Sequence, residues 1–251
     1  MRVVLPSNAS LQNFPRNSLS SYTVQLPQSL DFSNGQWEVG LEEIQFYKSW
    51  FNVIDCSITF SVNYKETIVK IPNGYYESEQ LLIDAINNSI SLSEVKGFTF
   101  EYRQANKSCY FKYEDSPVSI DVKLSPSLKE IINEQENKIT FKREGTIIYG
   151  YYNTTMRLHT IFNLMVYTDI AEASIIGNIN SRLLRAVHIE NGHWRVQCTS
   201  YQKLQYFKVN RTNIRTITIH IYTDYGDKVP FTHGRTIVTL DFRKVKAINL
   251  I

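Results

Sequence analysis

The residue pattern predicts a mainly β protein with a small α+β unit set into it. Three observations carry that expectation. Aromatic residues make up 13% of the 251 residues, with 16 Tyr and 13 Phe, and aromatic and β-branched side chains fit a pleated, half-buried surface. Short stretches of strict alternation recur along the chain, as strands with one buried face require. Helix-period spacing is confined to the middle of the chain, within residues 78–132. An apolar content of 43% and a charged content of 20% are those of a globular chain, not a long disordered one. The length suffices for one large all-β domain or two smaller ones.

The elements follow in order. Residues 1–20 mix Ser, Asn and Pro and read as an extended lead-in. Tyr22, Val24 and Leu26 alternate with polar residues and predict a strand, ended by Pro27, which has no N–H for a ladder. After a turn at Ser33–Gly35, Trp37, Val39 and Leu41 share one face, whereas Ile44 and Phe46 continue in the opposite phase. A phase flip inside one strand needs an extra residue, which predicts a β-bulge near Glu42–Glu43. Ile58, Phe60, Val62 and Tyr64 alternate next, followed by Val69 and Ile71. Ser78 is the expected N-cap of a helix whose Leu82, Ile86 and Ile90 recur every four residues. Strands return at Phe98/Phe100/Tyr102, Cys109/Phe111/Tyr113 and Val118/Ile120/Val122/Leu124. Ser125-Pro126 opens a second, short helix with proline at its first position. Leu128, Ile131 and Ile132 form its apolar stripe, and Ile139 and Phe141 suggest one more strand.

Over residues 143–160 the pattern weakens, as a connection between units would. The last third is β again: Phe162/Leu164/Val166, Leu183–Ile189, Trp194/Val196/Cys198, roughly Gln205–Val209, Ile217/Ile219/Ile221 and Val238/Leu240/Phe242. The two strands before residue 56 and those after 160 total roughly eight, the complement of two facing sheets in a jelly roll. Neither flank has enough strands to close a sandwich alone. The expected fold is therefore mainly β, a single jelly-roll β-sandwich interrupted by an inserted α+β unit. Residues 1–56 form its first part, 57–145 the insert and 146–251 its second part.

Charge is unevenly spread. Residues 1–56 carry 3 basic and 5 acidic side chains (−2), residues 57–156 carry 11 and 13 (−2), and residues 157–251 carry 13 and 6 (+7), which sums to +3. Arg211, Arg215, Arg235, Arg243, Lys244 and Lys246 lie near the end with Tyr222, Tyr225 and Phe231 between them. Their interleaving with strand positions reads as a solvated face, so direct nucleic-acid binding is not expected. The three cysteines are odd in number and form no CxxC, which points to a reducing compartment. Cys109 and Cys198 fall where alternation places core residues. No apolar run reaches about 18 residues, and the start lacks an apolar h-region, so synthesis in the cytoplasm without membrane insertion is expected.

No catalytic, cofactor-binding or metal site is expected. There is no GxSxG, glycine-rich phosphate loop, HxH or HxxxH among His159, His188, His193, His220 and His233. Asp224-Tyr225-Gly226-Asp227 lacks the register of a calcium loop and reads as a turn. Glu42 and Glu43 are adjacent in a strand, so their side chains point to opposite faces and do not form an acid–base pair.

Four regions carry a family resemblance: LPSNAS…FPRNSLSSYTVQLP at Leu5–Pro27; QWEVGLEEIQFYKSWFNV at Gln36–Val53; IPNGYYESEQLLIDAIN at Ile71–Asn87; and the closing blocks VYTDIAEASIIGNINSRLLRAV at Val166–Val187 and DYGDKVPFTHGRTIVTLDFR at Asp224–Arg243. In this order they resemble the penton, or minor capsid protein, of Polinton/Maverick elements and related adintovirus-like viruses. The resemblance implies a single jelly roll without catalysis. It further implies a homopentamer that plugs the fivefold vertices of an icosahedral capsid, whose shell is a double-jelly-roll major capsid protein, and hence a virion location. Host-receptor or glycan attachment is the alternative role for such a β-sandwich. The opening block and the closing turn supply the candidate assembly contacts: Asn8, Phe14, Asp224, Tyr225, Asp227 and Arg235.

Overall fold

The computed structural model describes residues 1–103, 105, 108–114, 120–132, 140–144, 147–156, 158, 161–190 and 194–245. Val118, Ile139, His159, His193 and Lys246 lie outside these residues. In chain order the elements are β1 (Arg2–Pro6), β2 (Ser21–Asp31), β3 (Trp37–Tyr47), β4 (Ser57–Val62), β5 (Lys65–Lys70), α1 (Glu79–Leu92), β6 (Phe98–Arg103), β7 (Ser108–Tyr113), β8 (Ile120–Leu124), α2 (Pro126–Ile131), β9 (Thr140–Glu144) and β10 (Ile147–Thr155). They continue with β11 (Asn163–Thr168), β12 (Ser174–Ile176), β13 (Ile179–Ser181), β14 (Leu183–His188), β15 (Val196–Ser200), β16 (Phe207–Lys208), β17 (Asn213–Thr223) and β18 (Ile237–Lys244).

Contacts divide the chain into two compact units, 1–50 with 161–251, and 51–160. The first unit holds two large antiparallel sheets, β1-β18-β3-β15 with β16 also on β3, and β14-β11-β17-β2, besides the small pair β12-β13. The pairings β1 with β18, β2 with β17, β3 with β15 and β11 with β14 make one long antiparallel ribbon. The ribbon folds back between β11 and β14 and is wound on itself through β3–β18 and β11–β17. That is a jelly roll. Its inner faces meet in a core of Tyr22, Val24, Val39, Leu41, Ile44, Phe46, Leu164, Val166, Ile217, Ile219, Ile221, Val238, Leu240 and Phe242. Eight strands form it, β1, β2, β3, β11, β14, β15, β17 and β18, but their partition differs from the sequence expectation. The lead-in contains β1, a strand too short and too exposed to show clean alternation.

The expected bulge is present. Thr239 pairs with Glu43 and Leu240 with Leu41, so Glu42 is the extra residue and both apolar pairs of β3 reach the core. Pro27, by contrast, does not end β2. It sits in a register break, where Gln25 pairs with Thr216 and Leu30 with Ile214. An edge strand tolerates a residue with no N–H because no neighbour needs it. The first half of the free edge of β2 is covered by the preceding loop. The Asn17 side chain accepts from the Thr23 N–H at 2.9 Å and donates to the Thr23 carbonyl at 2.9 Å, and Ser10 Oγ accepts from the Gln25 N–H at 3.0 Å. Side chains thereby substitute for a strand partner and blunt an aggregation-prone edge.

The second unit is the α+β insert. It holds sheets β5-β4-β8 and β6-β7-β10-β9 with α1 and α2. Ser78 and Ser125 cap the helices as expected, and Leu82, Ile86, Ile90, Leu128, Ile131 and Ile132 are buried among Phe60, Phe98, Phe100 and Phe111. Two readings change. Tyr64 does not continue a strand. Asn63 and Tyr64 both have positive φ (48° and 67°) and close a two-residue hairpin in which Val62 pairs with Lys65. The weakly patterned segment after 143 holds β10, paired on both sides by β7 and β9. The contact division accordingly falls at 50/51 and 160/161, where composition had placed it at 56/57 and 145/146. Among the described residues, no helix is long and apolar enough to cross a membrane.

The capped edge yields a stability test. Asn17→Ala removes two hydrogen bonds from β2 and should lower the unfolding free energy by about 1–2 kcal/mol, measured by urea denaturation; an unchanged midpoint would show that the edge does not depend on Asn17.

Candidate assembly interface

All six candidate contacts stand at one end of the jelly roll. β1 ends at Pro6 opposite Ile237, and β3 ends at Tyr47 opposite Val196. In the other sheet β17 ends at Thr223 opposite Leu164, and β2 begins at Ser21 opposite His220. The connections 7–20, 189–195 and 224–236 therefore lie together at this end, and here the chain also leaves after Trp50 and returns at Ile161. Asn8 and Phe14 belong to the first connection, and Asp224, Tyr225, Asp227 and Arg235 to the last. All are exposed except Phe14, which is half-buried in a groove of about 360 Å³ with Arg16, Ser21, Thr23, Thr218 and His220.

The acidic turn is built by Thr223. Its N–H donates to the Asp227 carbonyl at 2.7 Å, and its Oγ1 accepts from the N–H groups of Tyr225 and Asp227 at 3.3 Å each. Gly226 takes φ +93°, a conformation that side chains resist. β17 and β18 lie in different sheets, so this connection crosses the sandwich instead of closing a hairpin between them.

Beyond the turn the connection docks on the end of β3. Phe231 lies 6.1 Å from Phe46 and 5.7 Å from Trp50 between ring centroids. Buried Ser49 donates to the His233 carbonyl at 2.8 Å and accepts from the N–H groups of Thr232 and His233 at 3.2 and 3.3 Å. The His233 ring stacks on Trp194 (5.3 Å, 14°) and tilts against Tyr47 (4.9 Å, 51°), whose hydroxyl donates to the Trp194 carbonyl at 2.9 Å. Gly234 follows with φ +96°, and a Cβ there would come 2.8 Å from Tyr47 Cβ. Gln45, Phe46, Tyr47, Val196, His233, Gly234 and Arg235 enclose a pocket of about 330 Å³. Next to it, Ser7 and Thr236 exchange two hydrogen bonds, N–H to carbonyl at 2.8 Å and N–H to Oγ at 3.0 Å, which ties the Asn8 turn to Arg235.

Lys48 anchors the third connection. It is 1% exposed, and its Nζ donates to the Glu190 carbonyl at 2.5 Å. Burial, reinforced by Arg195 and opposed by Glu190, holds its amine below the usual lysine range. Gln197 points inward beside it, bonded to His188 O, Glu190 N and Thr199 Oγ1. This inverts the expected phase of β15 and turns Cys198 outward, opposite Gln45. Cys198 is thus exposed, not a core residue, whereas Cys109 is fully buried. Burial pushes the Cys56 thiol up to about 11 and that of Cys109 up to about 12, so neither is a thiolate at neutral pH.

Lys48, Ser49 and Trp50 were not singled out from sequence, and Trp194, expected in a strand, precedes β15 instead. The signal was the YKSW run inside the second resemblance block, where a lysine follows an alternating strand at a position its period makes inward. Other chemistry is dispersed. Glu42 pairs with Arg2 at 2.8 Å, and Glu43 accepts from Ser200 at 2.6 Å. Arg211 and Arg243 pair with Asp169 and Glu38. Among the described residues no three His, Cys, Asp or Glu side chains are grouped to hold a metal.

No family model matches the chain, and no curated protein matches it. Among solved structures it is similar to the mavirus penton protein, at 9% identity and a TM-score of 0.49 over 97% of this chain and 99% of that one. It is also similar to a chain of the Sputnik virophage structure solved by cryo-EM, at 10% identity and a TM-score of 0.47 over 97% of each chain. The jelly-roll assignment stands on the strand pairing alone.

Two tests follow. Gly234→Ala should destabilise the protein by about 1–3 kcal/mol, since the added methyl meets Tyr47 and the backbone keeps its positive φ; calorimetry showing an unchanged melting temperature would contradict this. His220 hydrogen-bonds Ser21 Oγ at 2.9 Å, and burial, with Lys228 adding and Asp169 opposing, lowers its imidazole below the ordinary 6.5. The unfolded chain then holds this proton to higher pH than the folded one. Stability should therefore rise as pH climbs from the depressed value through about 6.5 and level off above. Urea titrations between about pH 5 and 7.5 should show that rise in the wild type and a flatter profile in His220→Gln.

Proposed function

We propose that this chain is a structural capsid subunit. It forms pentamers and occupies the fivefold vertices of an icosahedral shell made by a double-jelly-roll major capsid protein. One observation carries the reading: three segments of the penton resemblance, far apart in sequence, converge on one end of the jelly roll. The opening block contributes Ser7 to Thr236, the second block contributes Phe46, Tyr47, Ser49 and Trp50, and the closing block contributes Phe231 to Gly234 around them. Much of this shared pattern thus builds a rigid, aromatic-rich rim with exposed loops rather than a reaction centre.

The physics of cyclic assembly fits such a rim. A ring repeats one head-to-tail contact between two unlike surfaces, and rigid subunits let the rotation close at a fixed number. The function is non-catalytic: the protein positions other capsid chains, and its working location is the virion after synthesis in the host cytoplasm. Asn8, Phe14, Asp224, Tyr225, Asp227 and Arg235 are its assembly contacts.

Native mass spectrometry of the purified chain should give five times the 29.2 kDa protomer, and co-expression with the major capsid protein should place it in particles. A chain that stays monomeric at every concentration and never enters particles would overturn the reading.

A further inference from the structure

The jelly roll carries two unlike patches at this end, one on the outer face of each sheet. On the β1-β18-β3-β15 sheet, Gln45 and Tyr47 alternate with the core residues Ile44 and Phe46 and so face outward. With Val196 (54% exposed) they line the pocket of about 330 Å³, and Trp194 (46% exposed) stacks on His233 at its side. The charged residue lining that pocket is Arg235, and Arg195 is exposed next to Trp194. On the β14-β11-β17-β2 sheet, Tyr222 alternates with Ile219 and Ile221 and faces outward, edge-on to Tyr167 at 5.6 Å. Tyr225 (64% exposed) stands in the turn that follows β17, and Asp224, Asp227 and Lys228 give that turn a net negative charge. No salt bridge among the described residues involves Arg195, Arg235, Asp224 or Asp227.

These patches lie on opposite faces of one sandwich, so a single subunit cannot bring them together. Each is also a poor match for itself, since a twofold contact would set aspartates against aspartates or arginines against arginines. We infer that they meet between copies: the Asp224–Asp227 turn of one subunit, led by Tyr225, seats against the Arg235-lined pocket of the next. Tyrosine and arginine are the residue types that anchor such contacts. The pairing is head-to-tail, so it builds a ring where the rotation closes and not a twofold dimer. The inference rests on the pentamer reading above and names the contact that would close it.

The test uses the full-length chain, with mass photometry and sedimentation of the wild type, Arg235→Glu, Asp227→Arg and the double variant. Both positions are exposed, and unchanged melting of the monomer verifies folding. Each single reversal should weaken ring formation by more than about tenfold, the double reversal should restore it, and Tyr225→Ala should weaken it without lowering the monomer's melting temperature. Rings that survive the single reversals, or that the double variant fails to restore, overturn this contact while leaving the pentamer reading standing. A wild type that is strictly monomeric or forms only twofold dimers overturns both.

Discussion

The structure depends on where its last two strands insert. β18 lies between β1 and β3, and β17 lies between β2 and β11. Until residues 213–244 arrive, β1 and β2 have no ladder partner and neither sheet is continuous. The amino terminus itself is held by the far end of the chain, through the Phe242 carbonyl at 2.6 Å. Such contacts close very long loops, whose entropy must be lost before burial rewards it. The core along β17 and β18, with Ile217, Ile219, Ile221, Val238, Leu240 and Phe242 all but inaccessible, is what offsets that loss.

The same winding dictates where function can reside. Alternate connections fall at opposite ends of the sandwich, so the loops after β1, β14 and β17 share one end with the departure and return of the insert. Edges are treated differently from ends. Asn17 and Ser10 cover the first half of the free edge of β2, which discourages strand-to-strand association there. The buried groups at this end, Lys48, Ser49 and Gln197, hold the loops through hydrogen bonds to their backbone. A loop held by several hydrogen bonds presents its exposed side chains in one geometry.

Much of this was legible from local pattern. The bulge at Glu42 showed as a phase flip, both helices showed through their serine caps and apolar spacing, and β17 and β18 showed as alternating runs. The misses share a cause. Pro27 does not end β2 because β2 is an edge strand, and Tyr64 turns because two residues accept positive φ. β15 is inverted because a hydrogen-bonded glutamine, and not the cysteine, fills the inner position. In each case the deciding neighbour is distant in sequence or the backbone conformation is invisible to hydropathy.

By itself the sequence determined a mainly β chain of roughly eight jelly-roll strands, an inserted α+β unit, and an acidic turn followed by basic residues, because periodicity and turn chemistry act within a few residues. Only the tertiary structure decided which strand pairs with which, that β17 and β18 belong to opposite sheets, and that Tyr47, Val196, His233 and Arg235 gather around one pocket. Those outcomes depend on long-range ladder pairing and on a shared core, which no local pattern encodes.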